Sequence, residues 1–301
     1  ARDLLLDRQG WRARLGPRRT RLEILASPGE WLLDLPLLNQ SFSAWSRETL
    51  ARVNVDRRRT GCAAFLEQLP VIDSASPPDH GAIRSLHTLY RDGLEACRTQ
   101  FGLRLLQPGR FLCPGPRADA PFMWFFPLHD APEHPTRGTT AALLDERFEA
   151  YKADMRARFF EASFAHFDRQ VLLVDVLGSL QTGRDAFLDT ENALTLIAAG
   201  LSYGRNGLSR SMHAIGSALR LTAASRSGGK DAAPRLMGRS IERVAFVATK
   251  ADHVPALRRA NLRHLLQDIV GHTREQVGTG PVSFHTAAAV LSTVDASILR
   301  D

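Results

Sequence analysis

Apolar residues along this chain follow two rhythms, and the change from one to the other falls near residue 168. Ahead of that point most of the periodicity is helical. Arg21–Leu25 (RLEIL) predicts a short strand that stops at the turn residues Ser27-Pro28-Gly29. The Leu- and Trp-rich stretch 30–53 predicts helix, interrupted at Pro36, whose ring removes an amide donor. Residues 60–105 predict two amphipathic stretches around a loop at Asp73–Gly81. Residues 107–138 concentrate proline and glycine and predict an irregular path. That path should still be ordered, because Phe122, Trp124, Phe125 and Phe126 are too apolar to remain in water. Leu144, Phe148, Tyr151, Met155, Phe159 and Phe160 recur near helical spacing and predict one long helix over 141–167.

Beyond residue 168 the pattern alternates between element types. Val171–Asp175 (VLLVD) is a continuous apolar run, expected of a strand covered on both faces. A helix over 184–200, a strand at Ile241–Ala248, a helix over 256–277 and a strand at Pro281–Thr286 follow. Strands and helices alternating at this spacing predict a parallel α/β sheet with right-handed crossovers. The strand at 21–25 is expected to join the same sheet. Residues 1–44 and 169–301 would then form the α/β core, with 45–168 as a mainly helical insertion.

Composition narrows this picture only a little. At 301 residues and 44% hydrophobic content the chain can bury a sizeable core in one or two domains. No run is long and apolar enough to predict a membrane span. Cys62, Cys97 and Cys113 have no CxxC spacing and make an odd count, so neither a disulfide framework nor a zinc site is expected, and a reducing, cytoplasmic setting is. The histidines form no metal-ligand pattern, and no metal-ligating residue is assigned. The net charge of +7 invites a polyanion-binding reading, but the basic residues are scattered and almost all arginine, so nucleic acid is not expected as a partner.

The strongest local chemistry is Thr249-Lys250-Ala251-Asp252, directly after the strand 241–248. It matches the [NT]KxD pattern of guanine-nucleotide proteins, in which a carboxylate accepts two hydrogen bonds from the guanine edge and the lysine stem lies over the base. Ligands of open α/β sheets sit beyond the carboxyl ends of the strands, which is where this loop falls. The competing reading is a strand-to-helix turn in which Asp252 caps the next helix. Ser27-Pro28-Gly29-Glu30 occupies the place of the Asp-x-x-Gly motif of P-loop GTPases. Gly29 fits the glycine whose amide meets the γ-phosphate. Ala26 stands where the aspartate would be and offers no ligand oxygen. By itself the segment also reads as a plain turn. Asp175 ends its strand like a Walker B carboxylate, although in GTPase order the residue at this place is often structural. Ser227-Gly228-Gly229-Lys230 is not a phosphate loop: it lacks the first glycine and has Asp231 where a serine or threonine should follow.

Longer strings carry a family resemblance. LEILASPGEWLLDLPLL (22–38), QPGRF (107–111), Phe125-Phe126-Pro127, HFDRQVLLVD (166–175) and FVATKADHV (246–254) resemble, in order, the YcjX family of nucleotide-binding, stress-associated proteobacterial proteins. The resemblance spans most of the chain. It implies a P-loop NTPase, GTPase-like three-layer α/β/α fold with a helical insertion after switch II. It further implies GTP/GDP binding with Mg²⁺ and slow GTP hydrolysis in the intact protein. It places the family's P-loop and switch I upstream of anything corresponding to residue 1, so a fragment without a phosphate cradle, inactive in hydrolysis, is expected. The chain is also expected to stop ahead of the family's C-terminal part, with the guanine-specificity loop near Ala287–Val290 contributing backbone amides.

On that footing Thr249, Lys250 and Asp252 are the expected nucleotide-binding residues at the base, and Gly29 at the γ-phosphate. Glu30, where many GTPases keep a catalytic glutamine, is the expected catalytic residue beside the attacking water. The rival expectation is a non-catalytic interaction protein on the same fold, which Ala26 favours and for which the aromatic segment 122–126 and the helical insertion offer a docking surface for a protein partner.

Overall fold

The computed structural model describes residues 2–7, 14, 16–161, 167–198, 243–274 and 282–290. It is a mixed α/β structure, mostly helical. Two strands open the chain, β1 (Arg2–Leu6) and β2 (Arg18–Leu22), followed by an eleven-residue 3₁₀ segment, Gly29–Asn39. Six helices come next: α1 (Phe42–Val53), α2 (Asp56–Gly61), α3 (Ala63–Gln68), α4 (His80–Phe101), the single turn α5 (Gly109–Leu112) and α6 (Thr140–Met155). Then follow β3 (Arg169–Val174), α7 (Val176–Thr182), α8 (184–198), β4 (Arg243–Ala248), α9 (Arg259–Arg274) and β5 (Val282–Thr286).

The expected parallel sheet is present in the order β3-β4-β5, with Leu172 opposite Phe246 and Phe246 opposite Phe284. Two expectations about its strands fail. The early strand does not join it: Arg18–Leu22 pairs antiparallel with β1 in a separate two-stranded sheet, Arg2 opposite Leu22. Partner and ladder end together there, so residues 23–25 leave the strand and Ile24 and Leu25 stay exposed. Nor, among the described residues, is β3 covered on both faces. Leu172 and Val174 are buried, while Val171 and Leu173 are 61% and 70% exposed, the alternation of a strand with one packed face.

The helices α1–α6 enclose the larger part of the core. Trp45 on α1 stacks on Phe148 of α6 at 5.2 Å and meets Phe125 edge-on at 5.3 Å. Leu144, Phe148, Tyr151 and Met155 are all fully buried, as their spacing predicts, and a π-helical turn (Arg156–Glu161) follows α6. The remainder of the expected helix to 167 lies partly outside the described residues, and the loop Ser225–Lys230 lies wholly outside them. The Pro- and Gly-rich segment is ordered because it threads between α1, α4 and α6. Phe125 and Phe126 are fully buried, each such ring contributing about 1.5–3 kcal/mol. Side chains satisfy its backbone: Arg147 donates to the Trp124 carbonyl at 2.8 Å, the Tyr90 hydroxyl to Gln107 at 2.6 Å, and the Leu128 amide donates to Ser46 at 3.2 Å.

One buried carboxylate joins this helical region to the α/β part. Asp189 on α8 pairs with Arg58 of α2, and its Oδ2 accepts the amide of Leu105 at 2.9 Å together with that of Arg104.

Candidate functional site at the carboxyl edge of the parallel sheet

β4 ends at Ala248, and the loop after it is fastened to both neighbouring strands. The Thr249 amide donates to the Val174 carbonyl at 2.9 Å, and its hydroxyl reaches the same oxygen at 3.3 Å. On the other side the Ala287 amide donates to Ala248 at 2.9 Å, and the Ala251 amide to the Ala287 carbonyl at 3.1 Å. Thr249, Lys250, Ala251 and Asp252 therefore sit on the carboxyl edge of all three parallel strands. Both backbone groups of Ala287 are used in that fastening, so amides offered to a ligand there would come from the residues after it.

Lys250 adopts φ 59°, a left-handed conformation uncommon for a residue with a side chain. The chain then turns through a 3₁₀ segment (Ala251–His253), with the His253 amide donating to the Lys250 carbonyl at 3.1 Å. Asp252 lies inside this turn, and the next helix, α9, starts seven residues later at Arg259. Arg259 Nε braces the loop from below through the carbonyls of Ala251 and Val254, at 3.1 and 3.3 Å. His253 Nε2 is 3.7 Å from Asp252 Oδ2.

Lys250 Nζ reaches Asp175 Oδ2 at 2.7 Å, while Asp175 Oδ1 accepts the Gly178 amide at 2.9 Å and so caps α7. Partial burial would raise the Asp175 carboxyl; the Lys250 and Gly178 hydrogen bonds outweigh it and hold the group below its ordinary range. A side chain on Gly178 would place its Cβ 2.5 Å from Asp175 Oδ2, so the cap requires glycine there.

Gly29 and Glu30 are positioned by a different set of elements, the helices of the 42–155 region. Gly29 opens the 3₁₀ segment, with nothing within 4 Å of the point where a Cβ would stand. The Glu30 carboxylate is 3.8 Å from Arg98 of α4. The Glu30 carbonyl oxygen lies 2.0 Å from where a Cβ on Gly109 would be, so the backbones touch. Further along the segment Asp34 is fully buried in an otherwise apolar run. It accepts hydrogen bonds from the Gly109 amide (2.7 Å), the Arg110 amide (3.1 Å) and the Tyr151 hydroxyl (2.5 Å). Burial pushes its carboxyl up to about 6, against those three bonds. Gln107 donates to the Leu33 carbonyl, and Trp31 Nε1 to that of Cys113 at 2.7 Å. The segment that begins with Gly29-Glu30 is thus gripped along its length by the helices. Sequence reasoning did not assign Asp34, Gly109 or Tyr151; the signal was one carboxylate inside WLLDLPLL, beside QPGRF.

The profile of the YcjX-like family, DUF463, matches residues 4–301. The chain belongs to that family. It is similar to the Ras-like GTPase YcjX of Escherichia coli, 34% identical over 256 residues, which is 83% of this chain and 50% of that protein. The Ras-like GTPase YcjX of Shewanella oneidensis is 30% identical over 264 residues, 85% of this chain and 50% of its own length. The chain therefore spans about half the length of the curated relatives it matches. For a YcjX-like chain of this extent, no described helix is long and apolar enough to cross a membrane, and the described residues contain no cluster of three or more His, Cys, Asp or Glu that could hold a metal.

Proposed function

We propose that this chain is the base-reading and switch-coupling part of a guanine-nucleotide-binding P-loop NTPase of the YcjX type, with slow GTP hydrolysis in the intact protein. In this reading residues 1–44 and 169–301 belong to a GTPase-like three-layer α/β/α domain, and 45–168 form a helical insertion that meets a protein partner. Asp252 and Lys250, with Thr249 supporting the loop, take the base; Gly29 senses the γ-phosphate and Glu30 stands near the attacking water. The observation that carries the reading is the Thr249–Asp252 loop, tied to β3 and β5 on the carboxyl edge of the sheet, where ligands of open α/β sheets bind. The two relatives named as Ras-like GTPases support the nucleotide class.

Among the described residues, neither of the two positions at which a Mg²⁺ carboxylate is expected offers a free oxygen. Ala26 has no ligand oxygen, and both Asp175 oxygens are engaged by Lys250 and Gly178. Titration of the full-length protein with a fluorescent GDP tests the reading. Asp252→Ala is expected to weaken binding by at least about 10²-fold, because two hydrogen bonds to a charged acceptor are lost, about 1.5–3 kcal/mol each. Unchanged affinity would overturn the assignment.

Ala26 favours a second reading, a GTPase-fold interaction protein without turnover. Tight nucleotide binding by the full-length protein with no phosphate release, with or without partner, would decide for it.

A further inference from the structure

Two cysteines separated by 35 positions meet where α2 gives way to α3 on the face of α4. Gly61 and Gly93 make the approach possible. A Cβ on Gly61 would stand 2.7 Å from Cys97 Sγ, and one on Gly93 would stand 3.0 Å from Cys62 Sγ and 3.1 Å from Cys62 Cα. The two side chains therefore lie side by side at this crossing. Both side chains are buried. A small cavity beside Cys97, about 10 Å³ for the centre of a water-sized molecule, is lined also by Thr49, Arg52, Arg58, Tyr90 and Gln107. Two polar atoms of these residues, Thr49 Oγ1 and Arg58 Nε, are buried without a hydrogen-bond partner. The cavity has room for about one water-sized molecule among residues that carry unpaired polar atoms.

We propose that Cys62 and Cys97 are a peroxide-reactive dithiol that closes to a reversible disulfide between the α2–α3 junction and α4. The Cys97 thiolate attacks one oxygen of hydrogen peroxide; the S–O bond forms, the O–O bond breaks, and the departing hydroxide takes up a thiol proton as water. Cys62 then attacks the sulfenic sulfur, the S–S bond forms, the S–O bond breaks, and a second water leaves with the remaining thiol proton. Two electrons pass from the sulfur pair to the peroxide, and a dithiol reductant reverses the change. The order of attack follows the environments. The neighbouring Cys62 thiol, with Arg58 adding to it, holds the Cys97 thiol below its ordinary value against burial, while the same neighbour and burial push Cys62 up. The pair packs directly under Arg58: its carbonyl accepts the Cys62 amide at 2.8 Å and lies 3.9 Å from Cys97 Sγ. Its guanidinium meets Asp189. Closing the disulfide therefore acts at the joint between the helices and the α/β region. Sequence spacing hides this pair, since it is no CxxC motif.

The test treats the 301-residue chain with hydrogen peroxide. The peroxide is quenched, free thiols are blocked with N-ethylmaleimide in denaturant, and the peptides are mapped by mass spectrometry. The expected product is a peptide linking Cys62 to Cys97, short by the mass of two hydrogens and released by dithiothreitol, with Cys113 recovered blocked. Recovery of Cys62 and Cys97 as blocked thiols, at a dose that oxidises free cysteine in the same tube, would overturn the proposal. So would linkage of either one to Cys113. In Cys62→Ala, dimedone is expected to trap Cys97 as its sulfenic acid; a folded variant with no adduct overturns Cys97 as the attacking thiol.

Discussion

Lys250 Nζ lies 2.7 Å from Asp175 Oδ2, so the lysine of the Thr-Lys-Ala-Asp loop is held by the carboxylate that ends the neighbouring strand. One carboxylate thereby performs two tasks. It caps α7 through Gly178 and fixes the direction of Lys250. The lysine is half exposed, and an ion pair of that kind contributes about 0–1 kcal/mol by itself. The cap is worth about 1 kcal/mol more.

The two partners should consequently respond unequally to substitution. Asp175→Ala is expected to lower unfolding stability by roughly 1–2 kcal/mol, and Lys250→Ala by less than about 1 kcal/mol. Asp175→Asn should fall near the lysine variant, since asparagine also caps. Urea denaturation of the three variants checks the order; equal losses for Asp175→Ala and Asp175→Asn would show that the cap contributes nothing. Because the folded carboxyl is held below its unfolded value, the contribution of Asp175 is present above the ordinary carboxylate range and is lost as pH falls through the folded value.

Asp34 has the opposite sign. Its folded carboxyl is raised to about 6 from an ordinary 3.8, so between those values the folded state holds a proton that the unfolded state has released. Stability is expected to fall as pH rises from about 4 to about 6, by an amount on the order of 3 kcal/mol, and to change no further through this group above that. Asp34→Asn should remove that slope, whereas Asp34→Ala leaves the Gly109 and Arg110 amides and the Tyr151 hydroxyl without their acceptor and should cost about 3–5 kcal/mol. Chemical denaturation at a series of pH values separates the two effects. An Asp34→Asn profile parallel to the parent would sink the assignment.

Which of these features the sequence disclosed depends on how far apart their parts lie along the chain. The Thr249–Asp252 loop is contiguous and follows an apolar run that ends at Ala248, so motif and context were legible together. β5 was legible for the same reason. β1 was missed because it is a polar-flanked hairpin strand whose partner, RRTRL, shows no apolar alternation; only the pairing of Arg2 with Leu22 defines it. Tyr151 and Asp34 are 117 residues apart, and Cys62 and Cys97 are 35 apart; topology brings each pair together. The exposure of Val171 and Leu173 could not be read either, since a run of four apolar residues looks alike whether one face or two are covered.

Gly109 tests the grip of the helices on the Gly29–Asn39 segment. An alanine there would put its Cβ 2.0 Å from the Glu30 carbonyl oxygen, well inside contact distance, and the obstacle is backbone rather than a movable side chain. Gly109→Ala is expected to cost about 2–4 kcal/mol or to push the Glu30 end of the segment away from α5. The thermal midpoint, read with the fluorescence of Trp31, whose indole donates to the Cys113 carbonyl, reports both outcomes. A midpoint and spectrum equal to the parent would mean that the two backbones are not in contact.

Asp252 can be tested by changing the base rather than by removing the residue. Guanine offers two donors on one edge, the ring N–H and the exocyclic amine, which a carboxylate accepts together. Xanthine replaces the amine with a carbonyl and so offers one donor and one acceptor. Asparagine at this position presents one acceptor and one donor in the same plane and should match xanthine. In the full-length protein, Asp252→Asn is therefore expected to weaken GDP binding by about 10²-fold, from the loss of one charge-assisted hydrogen bond and the meeting of two donors, and to strengthen xanthosine diphosphate binding relative to the parent. Such a swap needs the carboxylate to face the base edge directly. If Asp252 only stiffened the 3₁₀ turn at Ala251–His253, both nucleotides would lose affinity in parallel, and that outcome would reject the base contact while leaving the position of the loop on the sheet edge intact.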